Sequence, residues 1–171
     1  MEAAHEALVK SGVIGDVLED FMPSMDMKVK YGDREVQNGD ELTPSEAAAA
    51  PFVEIAGRHE NGDLYTLVMS DPDAPSPDNP VAAEWLHWLV VNIPGATTLP
   101  HSSAGDPVTA YKGPSPPMGV HRYVLALFRQ PQRITAHAPA ARKGFKARQW
   151  ASQHGLGRPV AAVFFRARKE E

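Results

Sequence analysis

Apolar and polar positions alternate over short stretches through most of this chain, and a period of two predicts strands. MKVKYG (27–32) alternates in this way. So do the two halves of PFVEIAGRHENGDLYTLVMS (51–70), separated by Asn61-Gly62. Asn-Gly is a tight-turn dipeptide, and Asn38-Gly39 supplies another inside EVQNGDELT. Residues 52–58 and 64–70 are therefore expected to pair as an antiparallel hairpin. EWLHWLVVNIP (84–94), HRYVLALFRQ (121–130) and PVAAVFFRAR (159–168) are three further strands. Strict alternation puts Trp85, His87, Leu89, Val91 and Ile93 on one face, with Leu86, Trp88 and Val90 on the other. Both faces are apolar, which predicts a central strand covered on both sides. In 121–130, His121, Tyr123, Leu125 and Leu127 share a face and Arg122 lies opposite.

The period lengthens to that of a helix at two places. HEALVKSGVIGDVLEDFM (5–22) fits a short amphipathic helix interrupted at Gly12 and Gly15. In FKARQWASQHGLG (145–157), Ala147, Trp150, Ala151 and His154 form one face. Phe145 can staple onto Trp150, and Gly155 or Gly157 can end the helix in the left-handed region. Lys146 stands where Ser or Asp would cap better, so this helix should fray at its start. Many strands and few helices give a mostly β fold. The expectation is an antiparallel β-sandwich-like structure with a short N-terminal and a C-terminal helix, residues 1–171 forming one domain.

Composition narrows the function. A net charge of −4 argues against nonspecific nucleic-acid binding. The absence of cysteine excludes disulfides and thiolate metal sites, and suits a reducing interior. No apolar run approaches the ~20 residues that span a bilayer, and MEAAHEALVKSG is no signal peptide. A soluble monomer with no stable membrane insertion is expected.

The candidate chemistry lies beside proline-rich turns. DPDAPSPDNP (71–80) follows the strand LYTLVMS, and GPSPPMG (113–119) precedes His121. Proline cannot pair within a central strand, so each turn stiffens a strand end. Asp71 and Asp73, two apart in an extended segment, should point to the same side. With His87, His121 and Tyr123 they could line one cavity, where imidazolium and phenol donate to a phosphate. His87 alone also reads as a core histidine satisfied by a backbone carbonyl. Two aspartates and two histidines so scattered are a weak metal signature. With no cysteine, G-x-S-x-G, H-E-x-x-H or phosphate loop, nothing marks a catalytic residue, a metal site or a cofactor. The loop PQRITAHAPAARKG (131–144) is basic and proline-marked, and reads equally as a partner surface or an ordinary solvated loop.

DPDAPSP, EWLHWLVVNIPG and GPSPPMGVHRYVLALFRQ, in that order and spacing, resemble the phosphatidylethanolamine-binding protein family, plant branch. Trp85 before LHW is similar to the Mother-of-FT-and-TFL1 group. The resemblance implies an anion cavity formed by Asp71, Asp73, Pro75, Glu84, His87, Pro114, His121 and Tyr123, accepting phosphate-like anions or phospholipid head groups. It also implies a non-enzymatic signalling scaffold of cytoplasm and nucleus. Such a protein works through 14-3-3 proteins and bZIP transcription factors to control seed germination, dormancy or flowering, with Pro94 and Arg133 as partner contacts. A phospholipid- or phosphate-sensing module without a transcriptional role is the alternative. Ala83 and Ser115 depart from arginines usual in parts of the family, which implies a less cationic pocket rim, and Gly62 stands where florigen-type members use an arginine against 14-3-3 proteins. The family pattern further implies cis peptides at Ala74–Pro75 and Ala83–Glu84.

Overall fold

A computed structural model describes residues 2–58, 62–95, 97–99 and 105–171. Two sheets face each other. The smaller has the order β2-β1-β4-β7, formed by Arg34–Glu35, Met25–Tyr31, Phe52–Gly57 and Thr98–Leu99. The larger runs β3-β10-β9-β5-β6-β8, formed by Asp40–Glu41, Ala161–Ala167, His121–Gln130, Leu64–Asp71, Trp85–Pro94 and Asp106–Thr109. Every pairing is antiparallel except β10 with β3.

The alternating stretches form strands because each sheet buries one or both faces. One core fills the space between the sheets: Val29, Val53 and Ile55 meet Tyr65, Leu67, Trp88, Leu125, Leu127 and Phe165. A second core covers the outer face of the larger sheet. There Val68, Leu86, Leu89, Val124 and Phe128 receive Leu8, Val13, Phe21, Phe145, Trp150 and Leu156. β5, β6 and β9 are consequently buried on both sides.

Two expectations fail for local reasons, and a third holds in part. The hairpin between 52–58 and 64–70 does not form: β4 pairs with β1 and β7, and β5 with β6 and β9. The connection thus crosses between sheets, and its turn residue Asn61 lies outside the described residues. Asn38-Gly39 does turn, with the Asp40 amide donating to the Gln37 carbonyl. It too sends its flanks, β2 and β3, to different sheets. The N-terminal helix spans Glu2–Lys10 (α1), followed by a single distorted turn, Val13–Asp16 (α2). Gly12 (φ 80°) and Gly15 (φ 114°) break the helix as expected, whereas residues 17–22 continue without it.

The second failure is fraying. The C-terminal helix α3 spans Ala147–Gln153, and Lys146 indeed makes no side-chain cap. The Glu84 carboxylate supplies one from a distant loop, accepting the Ala147 amide at 3.0 Å. Phe145 and Trp150 are both buried in the outer core as the staple requires. The helix ends in a Schellman motif: Leu156 donates to the Ala151 carbonyl and Gly155, at φ 68°, to that of Ser152. Both Ala74–Pro75 and Ala83–Glu84 are cis. No described helix is long and apolar enough to cross a membrane.

Candidate functional site

Strands β9, β5 and β6 lie side by side, and at one end their inner faces open into a cavity of about 280 Å³. Asp71 enters from the end of β5, His121 and Tyr123 from the start of β9, and Trp85 and His87 from the start of β6. Pro75 closes one wall, and Lys112 and Ser115 stand at the exposed edge.

A β-bulge falls at His87. Met69 pairs with Trp88 but Ser70 pairs with Leu86, so His87 is the extra residue of β6. Leu86 points to the outer core, whereas His87 and Trp88 both point inward. Beyond the bulge the faces are Trp88, Val90 and Ile93 inward, with Leu89 and Val91 outward. The strict alternation expected from sequence therefore holds for Trp85, Leu86 and His87 and is overturned beyond the bulge, which puts His87 and Trp88 on the same side. Alternation holds in β9: Tyr123, Leu125 and Leu127 face inward, Val124 and Phe128 outward.

The two histidines hold different charges. His121 is buried, its Nδ1 2.7 Å from Asp71 Oδ2 and its Nε2 2.8 Å from the Met118 carbonyl. Both partners accept, so both ring nitrogens carry protons and the ring is imidazolium. Burial, the largest single influence, would lower its pKa. The hydrogen bond and charge of Asp71, the Met118 carbonyl and the charge of Asp73 together raise it. His87 donates from Nδ1 to the Lys112 carbonyl at 2.6 Å, which leaves Nε2 as an acceptor. Burial lowers its pKa despite that carbonyl, so the ring is neutral. The Tyr123 phenol stays protonated because burial and the charges of Asp71 and Asp73 raise its pKa.

The structure separates the other expected residues from this cavity. Asp71 Oδ1 accepts the Asp73 amide at 2.7 Å, a turn that rotates the chain just past the strand end. Asp73 therefore points away, its carboxylate clasped by Arg122 through the backbone amide, Nε and Nη2, each at 2.9 Å. The expectation that both aspartates face one side fails because β5 ends at Asp71. Glu84 is buried, and its Oε1 accepts from Ser70 Oγ at 2.9 Å as well as capping α3. Burial raises its pKa to about 7 against the hydrogen bonds of Ala147 and Ser70. Pro114 is buried beside Gly113 and does not line the cavity. Gly113 itself is required there, since a Cβ would lie 2.7 Å from the Ala47 carbonyl.

Sequence reasoning passed over two residues that build the site. Lys112 brings a cation to the edge, 5.8 Å from the Trp85 ring centroid, while its amide and carbonyl both bond His87. Arg142 lies behind the bulge. Its Nη1 donates to the Leu86 and His87 carbonyls at 3.0 and 3.2 Å, and its Nη2 to that of Ala110 at 2.8 Å. An arginine fork suits this set, two carbonyls of the bulged strand and one just past β8. No spacing in the sequence announces this contact, because Arg142 sits in a loop 55 residues from His87.

The arrangement can receive an anion, though not as expected. His121 has no N–H left to donate, and with Asp71 it forms an internally neutral pair. The remaining donors are the Lys112 ammonium and the Ser115 hydroxyl at the edge, while the Tyr123 phenol is drawn to the Asp71 carboxylate. His87 Nε2 needs a donor, such as the P–OH of a phosphomonoester monoanion or an ammonium N–H. The expected partner residues lie at the other end of the larger sheet. Pro94 is exposed at the end of β6, and the exposed Arg133 stands 3.7 Å from Asp106.

A model of the family described as phosphatidylethanolamine-binding protein matches residues 20–165. The chain is 47% identical over 168 residues to protein MOTHER of FT and TFL1 homolog 2 of Oryza sativa subsp. japonica, covering 96% of this chain and 94% of that one. It is also 47% identical to protein FLOWERING LOCUS T of Arabidopsis thaliana, covering 97% and 93%, so overall identity does not choose between the two groups. Its backbone matches carboxypeptidase Y inhibitor, solved in complex with its cognate proteinase, at a TM-score of 0.89 and 27% identity, covering 99% and 96%. Matched in sequence from Asp20 to Phe165 and in backbone over nearly its whole length, the chain belongs to the phosphatidylethanolamine-binding protein family.

Proposed function

We propose that this protein is a non-enzymatic signalling regulator whose cavity receives a phosphate-like anion or a phospholipid head group. The observation that carries the reading is the division of labour between the histidines. His121 is locked as a cation by Asp71 and Met118, and His87 offers one unoccupied acceptor next to Lys112 and Tyr123. A ring with both nitrogens protonated and engaged has no lone pair for general-base work, and a cavity with no activated nucleophile suits binding better than turnover. Asp71, Pro75, His87, His121 and Tyr123 are the direct lining. Asp73, Glu84 and Pro114 act behind it, by holding Arg122, capping α3 and packing the wall.

On this reading the regulator acts through partner proteins, as one domain and as a monomer, in cytoplasm and nucleus. Kinship with proteins named for flowering points to plant-type developmental signalling, and Trp85 to the group concerned with seed germination and dormancy. 14-3-3 proteins and bZIP transcription factors are the partner classes, with Pro94 and Arg133 as contacts. Calorimetric titration with O-phosphoethanolamine and inorganic phosphate tests the cavity, and capture of 14-3-3 protein by wild type and Arg133→Glu tests the other end. Binding of both ligand types, with 14-3-3 capture lost in Arg133→Glu, is expected. Ligand binding without any protein capture would favour the alternative of a lipid- or phosphate-sensing module. Absence of ligand binding would reject the cavity reading.

A further inference from the structure

Twelve of the 17 lysines and arginines lie between Pro107 and Lys169, and no aspartate or glutamate does. The acidic residues that make the chain net negative are nearly all in the first 106 positions. Within the basic stretch the loop 131–146 and helix α3 enclose a groove of about 490 Å³ on the outer layer of the larger sheet. His137 and Lys143 line it from the loop, and Lys146 and His154 from the two ends of α3. No carboxylate lines it, and it shares no residue with the cavity. Lys143 is exposed and in no ion pair among the described residues. Lys146 donates to the Ala83 carbonyl, and Glu84, the carboxyl group its charge acts on, is buried and engaged.

From these observations we infer that the groove is a docking surface for an extended acidic segment of a partner protein. It is a second face, beyond the reading given above. Charge complementarity supplies the first argument: a basic, acid-free groove on a chain of net charge −4 selects a locally acidic ligand. Length supplies the second. Lys146 and His154 are eight positions apart along the helix, about 12 Å at 1.5 Å per residue. A single phosphate cannot touch both ends, whereas a few residues of extended chain can. Gln149 and Gln153, exposed between them and one turn apart, offer amide donors and acceptors to a peptide backbone. A bilayer fits poorly, because among the described residues the large exposed apolar ones (Val9, Met22, Phe52, Val81 and Met118) all lie outside the groove. A long nucleic acid fits poorly too, since the acidic remainder of the molecule would repel it.

The test is fluorescence anisotropy on the full chain with a labelled oligo-glutamate peptide. An oligo-lysine peptide, duplex DNA and phosphatidylserine-containing vesicles serve as comparisons. Binding of oligo-glutamate that weakens with added salt is expected. Lys143→Glu and, separately, Gln153→Glu should each weaken it about tenfold, as like-charge juxtaposition does at an interface. Lys30→Glu on the smaller sheet should leave it unchanged. Both groove variants change exposed side chains, and thermal melts confirm that they fold. The proposal is overturned if oligo-glutamate does not bind, or if Lys30→Glu weakens it as much as the groove variants. It is equally overturned if DNA or vesicles bind more tightly than the peptide with the same dependence on Lys143.

Discussion

Asp71 shows how much one carboxylate decides. Its two oxygens hold the His121 ring and the Asp73 amide, fixing a charge on one side and a turn on the other. Asp71→Asn keeps the shape and removes the charge that raises the His121 pKa. His121 titration followed by NMR should therefore move to lower pH in the variant. The sign of the linkage follows. With its folded pKa raised, His121 contributes stability that is complete below about 6.5, its unfolded value, and is lost as pH rises through the folded value. Asp71→Asn should remove about 1–3 kcal/mol at mildly acidic pH, measured by denaturant unfolding, and less above that window. His87 works in the opposite direction: with its pKa lowered, its contribution is lost as pH falls below about 6.5. Arg142→Lys keeps the charge but loses the fork across three carbonyls. The expected outcome is a changed 15N signature of the His87 tautomer and weaker phosphate binding, with Lys143→Gln as an unaffected control. An unchanged His87 signature would make Arg142 a purely structural brace.

At the scale of elements, the strands were legible and their irregularities were not. MKVKYG, HRYVLALFRQ and the strand after Pro159 stand where alternation puts them, because burial of a sheet face imposes a period of two on the sequence. The bulge at His87 leaves no trace in a stretch that is apolar on both faces, since shifting the register there exposes nothing. The expected 52–70 hairpin does not form because a turn dipeptide favours a reversal of direction but does not decide which sheet receives the next strand. The fraying expected at Lys146 failed because the cap comes from Glu84, 63 residues earlier. That cap makes a pH prediction. Glu84 is held near pKa 7, so between about 4.5 and 7 the unfolded state releases a proton that the folded state keeps, and stability falls as pH rises. Glu84→Gln retains an oxygen for Ala147 and Ser70 and cannot titrate. Denaturant midpoints across that window should slope downward by about 1–3 kcal/mol in wild type and flatten in the variant.

For the molecule as a whole, the two cores separate stability from binding. Trp88, one position past His87, packs edge-on against Tyr111 at 5.3 Å between the sheets. Trp88→Ala should cost about 3–5 kcal/mol in chemical unfolding, more than Asp71→Asn at any pH. The candidate site was half legible for the same reason. Residues at strand ends next to proline-rich turns, Asp71, His121 and Tyr123, could be placed from the sequence. Lys112 and Arg142 reach the site only through loops whose paths the sequence does not dictate. The central claim, that the cavity takes a phosphate-like anion through His87 while His121 stays engaged with Asp71, is tested most directly by one titration. The 15N resonances of both imidazoles are followed as O-phosphoethanolamine is added at neutral pH. The account predicts that His87 Nε2 shifts to saturation as it gains a donor, while both His121 nitrogens remain protonated and nearly still. Saturating shifts at His121 with His87 unmoved, or no shift at either ring, would contradict it.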